Sequence, residues 1–120
     1  MASAKSPHVR LRHIKHEITA LVSSVEGLDD DAILASHVHR RALERSVEIV
    51  SEAAKALPDR LREAERAVPW KDIIGIGNLL RHEYYRIDDT TMLNILRVHL
   101  PVLLVAVERI ENRLTQSPEE

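Results

Sequence analysis

The sequence predicts an all-α fold, an up-and-down bundle of four to five helices, and three observations carry that reading. Apolar residues recur at steps of three and four through most of the 120 residues. No stretch alternates apolar and polar positions as a half-buried strand does, and Gly27, Pro58, Pro69 and the Asp88–Asp89 pair punctuate the periodic segments. The length fits one domain that buries about two-thirds of its unfolded surface. Residues 8–114 are expected as that single helical domain, between a disordered N-terminal tail, residues 1–7, and a C-terminal tail, residues 115–120.

The first helix is written by Leu11, Ile14, Ile18, Leu21, Val22 and Val25, one apolar stripe that Gly27 should close. "LDDD" supplies capping carboxylates and a short turn of helix around Ala32 to Leu34, and Ser36 can cap the next segment. That second long helix, His37 to Leu57, is apolar on two adjoining faces. Leu43, Val47, Val50, Ala54 and Leu57 form one, and Ala42, Ile49, Ala53 and Ala56 the other. A doubled face predicts a central helix, or one shared between the core and a second subunit. Pro58 ends it, and "DRLREAERAVPW" reads as a charged, partly helical connection in which "RLREAER" is a solvated face. An Arg40 to Glu44 pair is expected on the helix before it, where Arg41 and Arg45 could also reach a polyanion.

Pro69 and Trp70 introduce the third long helix, with Ile73, Ile76 and Leu80 as its stripe and Gly75 and Gly77 inside it. Each interior glycine costs about 1 kcal/mol relative to alanine, so two of them predict another backbone approaching closely, as between helices or across a dimer. Asp88 or Asp89 can cap a closing helix bearing Met92, Leu96, Leu100, Leu103, Val107, Ile110 and Leu114. Pro101 lies within that pattern and should kink or split it by removing the hydrogen bond to the Arg97 carbonyl.

Composition narrows the function classes. The balance of 17 basic against 19 acidic residues gives no overall positive field, so any polyanion site must be a local patch. The absence of cysteine excludes disulfides and thiolate metal sites. His37 and His39 lie on opposite sides of a helix, and His13 and His16 come with no acidic third ligand, so no metal site is expected. The apolar run Pro101 to Val107 is too short to span a bilayer, and "MASAKSPHVR" lacks the apolar stretch of a signal peptide. The expectation is a soluble, cytoplasmic protein with no membrane partner.

The candidate site is "GNLLRHEYYRID", residues 77–88. The chain's only aromatic residues are Trp70, Tyr84 and Tyr85, all in or near this stretch. Asn78 and His82 are four apart on one helical face, so the amide can orient the imidazole. Arg81 lies one turn beyond Gly77, where the glycine leaves room, and Tyr84 follows at three. A histidine, an arginine and a phenol at one helix end suit phosphodiester chemistry, in which the imidazole moves a proton and the guanidinium holds phosphate oxygens. The same residues also fit a plain helix end, with His82 facing the helix dipole and Arg81 packed beside tyrosines.

The ordered features "VHRRALERSVEIVSEAAKALP", "VPWKDIIGIGNLLRHEYYRID" and a closing helix with an internal "HLP" resemble the HepT-like branch of the HEPN proteins. These are small all-α partners of minimal (MNT-type) nucleotidyltransferases in prokaryotic toxin–antitoxin pairs. The resemblance covers about His8 to Leu114 and implies a HEPN-like homodimer. Between its subunits lies a cleft carrying an arginine, a polar residue beside it, a histidine five residues after the arginine and a tyrosine two further on. On this chain the polar residue is Asn78, the histidine His82 and the tyrosine Tyr84. The arginine position is Gly77, and Arg81, a turn along the same face, is the residue to replace it. The resemblance further implies metal-independent RNA cleavage, with tRNA the favoured substrate. His82 would act as acid or base, Arg81 would hold the phosphate and Asn78 would orient. No cofactor is implied for this chain, since ATP and Mg belong to the partner nucleotidyltransferase, the antitoxin, which would silence the toxin by attaching AMP to Tyr84. Tyr85 is the competing acceptor. Two alternatives stand beside this reading: a catalytically impaired HEPN binding partner or modification substrate, with Gly77 marking the lost arginine, and a purely structural helical interaction protein.

Overall fold

A computed structural model describes residues 6–116, all of them in helices and the turns between. The helices are α1 (Pro7–Ser24), α2 (Asp30–Ala35), α3 (His37–Lys55), α4 (Asp59–Glu63), α5 (Trp70–Glu83), α6 (Asp89–Asn94) and α7 (Leu100–Gln116). The expected tails fall mostly outside the described residues; where the two overlap, Pro7 is already the first residue of α1 and α7 continues through Gln116. The bundle is all-α, as the periodicity predicts, and it is built from α1, α3, α5 and the closing helix, with α2 and α4 as single turns between them.

Caps set the boundaries. The Ser6, Asp29, Ser36 and Asp88 side chains accept from the N–H groups of His8, Ala32, His39 and Thr91, satisfying donors that each helix start would otherwise leave open. Gly27 takes a φ of 80°, the left-handed turn that ends α1, which a side chain would make costly.

The predicted stripes face one core. Leu11, Ile14, Ile18 and Leu21 of α1 meet Leu43, Val47, Val50 and Ala54 of α3 and Leu103, Val107, Ile110 and Leu114 of α7, all buried. Each such side chain contributes about 1.5–3 kcal/mol when fully buried. The helix with two apolar faces is indeed central: α3 packs on both α1 and α5. Val22 departs from its stripe and is exposed.

Two local expectations are corrected. Arg40 pairs with Asp89 (2.9 Å), and it is Arg41 that reaches Glu44 (2.8 Å), because the i,i+3 partner lies nearer than the i,i+4 one here. Pro101 does not split the closing helix. The chain runs helically from Asp89 to Gln116 and widens into a π-type turn over Ile95–His99, where the Leu100 N–H bonds to the Ile95 carbonyl. A widened turn just before the proline accommodates a residue with no N–H. One 18-residue window of this continuous 28-residue helix has a mean hydropathy of 1.7, so the helix is long and apolar enough to cross a membrane by length and composition alone. Here its inner face closes the core, and Val98, Val102 and Val105 remain exposed on its outer face.

Candidate active site

The site is placed by the two ends of α5. At its start Trp70 is buried, and its Nε1–H donates to the carbonyls of Arg62 (3.0 Å) and Glu65 (3.1 Å). Glu65 follows α4 with only 7% of its surface exposed, and its carboxylate accepts from Arg109 (2.7 Å) and Arg113 (2.9 Å) of α7. The hydrogen bond from Arg109 holds this carboxyl below its ordinary range, against the opposing effect of burial, and Arg113 adds to the lowering. The segment "RLREAER" is therefore not simply a solvated face: its second carboxylate, Glu65, pins the α4–α5 turn to α7. Trp70 belongs to this corner, so the clustering of aromatics in the sequence joins a structural residue to two exposed ones.

Midway along α5, Gly77 is buried against α3. A Cβ at that position would fall 2.0 Å from Ser51 Oγ and 2.3 Å from Ser51 Cβ, so the helices approach as closely as they do only because position 77 is glycine. Ser51 Oγ–H donates to the Ile74 carbonyl (3.0 Å) and closes the same contact. The expected close approach is thus made within one chain. Gly75, by contrast, faces open space.

One turn further on, Arg81 emerges from the α3–α5 contact and bonds Glu52 (2.7 Å). Asn78 and His82 share the exposed face of the helix, and neither forms a side-chain hydrogen bond or ion pair among the described residues. After Glu83 the chain tightens into a 3₁₀ turn, Tyr84–Arg86, and Asp88 caps α6. The hydrogen bonds from Thr91, side chain first and then backbone, hold the Asp88 carboxyl below its ordinary range. Tyr84 is 57% exposed and Tyr85 73%, their rings meet edge to face at 6.0 Å, and the Arg41 guanidinium lies 5.9 Å from the Tyr84 ring centre.

One chain brings some of the expected residues together and separates others. Asn78, Arg81 and His82 occupy consecutive turns at one side of α5. Arg81 lines a groove with α1 and α3, whereas Tyr84 and Tyr85 line another with Arg40, Arg41 and Glu44. On α3 the two anchor points are positions 52 and 41, about 16 Å apart along the axis at 1.5 Å per residue. Sequence reasoning missed Glu52, Ser51 and Glu65. Ser51 carried a legible signal as a small polar residue in the apolar stripe of α3, but Glu52 and Glu65 find their partners across the bundle and carry none.

A helical bundle whose third long helix ends in an exposed His, Asn and Arg defines a small all-α domain with a solvent-facing polar cluster. The chain belongs to the HepT-like family: residues 14–110 match the family described as ribonuclease HepT-like. It is 35% identical to a protein of Caldanaerobacter subterraneus subsp. tengcongensis named "Putative RNase", over 88% of this chain and 95% of that one. A Methanocaldococcus jannaschii protein of the same printed name is 28% identical over 73% and 81% of the two chains. "Probable ribonuclease HepT" of Thermococcus cleftensis is 25% identical over 58% and 63%. No solved structure matches the chain at a significant level.

Proposed function

We infer that this chain is an RNA-cleaving, toxin-like component of a prokaryotic toxin–antitoxin pair, acting in the cytoplasm as a homodimer. The observation that carries the reading is an exposed His82, without a side-chain hydrogen bond or ion pair among the described residues, beside Arg81 in a chain of the HepT-like family. An imidazole free of protein partners can take the proton of a ribose 2′-hydroxyl as that oxygen attacks the adjacent phosphorus. It can then return a proton to the departing 5′-oxygen, leaving a cyclic phosphate and a free hydroxyl. Arg81 would hold the phosphate oxygens, and Asn78, which makes no hydrogen bond to the imidazole in the free chain, would orient it once RNA is bound, with no metal in the step. RNA, with tRNA favoured, is the substrate because the internal nucleophile is the 2′-hydroxyl.

A second copy of the chain completes this site. Arg81 and Tyr84 of one chain open onto different grooves, so a shared cleft needs residues from a partner protomer. Silencing would come from an MNT-type nucleotidyltransferase, with the Tyr84 hydroxyl attacking the α-phosphorus of ATP and pyrophosphate leaving. Tyr84 suits this better than Tyr85, because Arg41 stands beside its ring and would face the added phosphodiester. The alternative, a catalytically impaired modification substrate, rests on Gly77, which fills the family's arginine position with a packing residue.

Purified protein incubated with bulk tRNA in EDTA should cut it, and His82→Ala should not. Uncut RNA at high protein concentration supports the impaired alternative. After incubation with the neighbouring nucleotidyltransferase and ATP, mass spectrometry should find AMP on Tyr84, and an adduct confined to other residues rejects that acceptor.

A further inference from the structure

Beside the proposed active site lies a groove of about 250 Å³ that runs from α1 over the outer face of α3 to α5. Three guanidinium groups, one from each helix, converge on it: Arg10, Arg45 and Arg81. His13 lies among them, and Glu48 and Glu52 are the only carboxylates in the lining. The state of each arginine is informative. Arg10 has no hydrogen bond or ion pair among the described residues, and its Nε is shielded from solvent without a partner. Arg45 is 69% exposed and reaches Glu48 only at 3.9 Å, too long for a hydrogen bond. Arg81 alone is firmly held, by a Glu52 carboxylate that is itself mostly exposed.

Guanidinium groups that served the fold would be paired, as Arg109 and Arg113 are with Glu65. Gathering three around one groove with two carboxylates, only one of them hydrogen-bonded to a guanidinium there, costs mutual repulsion unless an anion arrives to offset it. The anion must be extended, because the three side chains come from three helices. It must also be continuous with the chemistry, because Arg81 is the residue before His82. A phosphodiester backbone meets both conditions, and arginine forks match its oxygens two at a time.

We propose that this α1–α3–α5 groove binds the RNA backbone on one side of the cleavage point, with Arg10 and Arg45 as substrate-binding residues. In the same arrangement Glu52 occupies the Arg81 phosphate position until RNA displaces it. The proposal rests on the ribonuclease reading above and adds to it a binding track and an internal competitor, neither of which takes part in bond cleavage. The groove reads phosphates rather than bases, so it favours no sequence.

The test separates binding from catalysis by using a fluorescently labelled single-stranded DNA, which has no 2′-hydroxyl and cannot be cut by this route. In anisotropy titrations over a range of salt, wild type should bind it. Arg10→Gln/Arg45→Gln should weaken binding by about tenfold and flatten the dependence of log affinity on log salt by about 0.7 for each cation lost. Arg45→Glu, a change at an exposed position that cannot disturb packing, should weaken it at least as much. Glu52→Gln should tighten binding about two- to fivefold, the range an exposed ion pair spans. If the arginine variants bind DNA with unchanged affinity and salt slope while wild type cuts tRNA, the groove is not the track, and the ribonuclease reading stands. If Glu52→Gln weakens binding, Glu52 positions Arg81 instead of competing for it, and that part of the proposal falls. If wild type neither binds the DNA nor cuts tRNA, this proposal and the ribonuclease reading fall together.

Discussion

The two ends of α5 carry similar residue types in opposite states. At its start, Trp70 and the neighbouring Glu65 are buried, and every polar atom they present is met from another element: carbonyls of the α4 turn for the indole, two α7 guanidinium groups for the carboxylate. At its end, Asn78, His82, Tyr84 and Tyr85 are exposed, and the hydrogen-bonding groups of the first two have no protein partner among the described residues. A polar group that holds a fold together is buried and satisfied, since leaving it unmet costs about 1–3 kcal/mol. A polar group left in water with nothing to hold is available to a ligand. The contrast separates residues the bundle needs from residues it can lose, and mutation should reproduce that division.

The largest effect is expected where the halves of the helix meet. Gly77→Arg would restore the family's arginine in name, but its Cβ would strike the short Ser51 side chain, and a guanidinium would be driven between α3 and α5. A loss of about 4 kcal/mol or more, or failure to fold, is expected, with no gain in cleavage. Exchanging which helix supplies the Cβ, in Ser51→Gly/Gly77→Ala, should recover most of what Gly77→Ala alone loses, and urea melts of wild type, the two single variants and the double variant measure that coupling. If Gly77→Arg folds stably and cuts RNA faster, position 77 is a vacant catalytic place rather than a packing one.

Next in size is the corner. Glu65→Ala should cost about 2 kcal/mol at neutral pH, less than a sealed ion pair because Arg109 and Arg113 are half exposed and can return to water. The folded carboxyl lies below its ordinary value of 4.5, so its stabilisation is complete above that value and is lost as pH falls through the folded one. Wild type and Glu65→Ala should therefore converge in stability under acid conditions. A gap that persists in acid would mean that Glu65 matters for packing and not for its charge.

The stripes of the bundle were legible in the sequence because helical periodicity is local, and the central place of α3 was legible in its doubled apolar face. The candidate site was legible as a group of residue types, since Asn78, Arg81 and His82 fall on neighbouring turns of one helix whatever the rest of the fold does. What was not legible depends on contacts across the bundle. Pro101 reads as a break, yet the π-type turn before it keeps the helix continuous. Glu65 reads as surface charge until α7 lies over it. Arg81 reads as free until Glu52, 29 positions earlier, is found beside it. Tyr84 reads as a neighbour of Arg81, but the tightening of the chain into a 3₁₀ turn carries its ring toward Arg41 instead.

The smallest change in stability should come from the residue proposed as the catalytic acid or base. His82 is exposed and makes no side-chain hydrogen bond or ion pair among the described residues, so His82→Ala should shift folding stability by less than about 0.5 kcal/mol. Cleavage of tRNA by the same preparation should fall by about 10²–10⁴, the usual worth of a positioned acid or base. Thermal melts and cleavage assays on one batch of protein decide between two accounts of this end of the helix. A site built for substrate gives an intact fold with lost activity. A histidine that serves the helix end through its dipole gives a lower melting temperature with cleavage reduced only in proportion to unfolded protein.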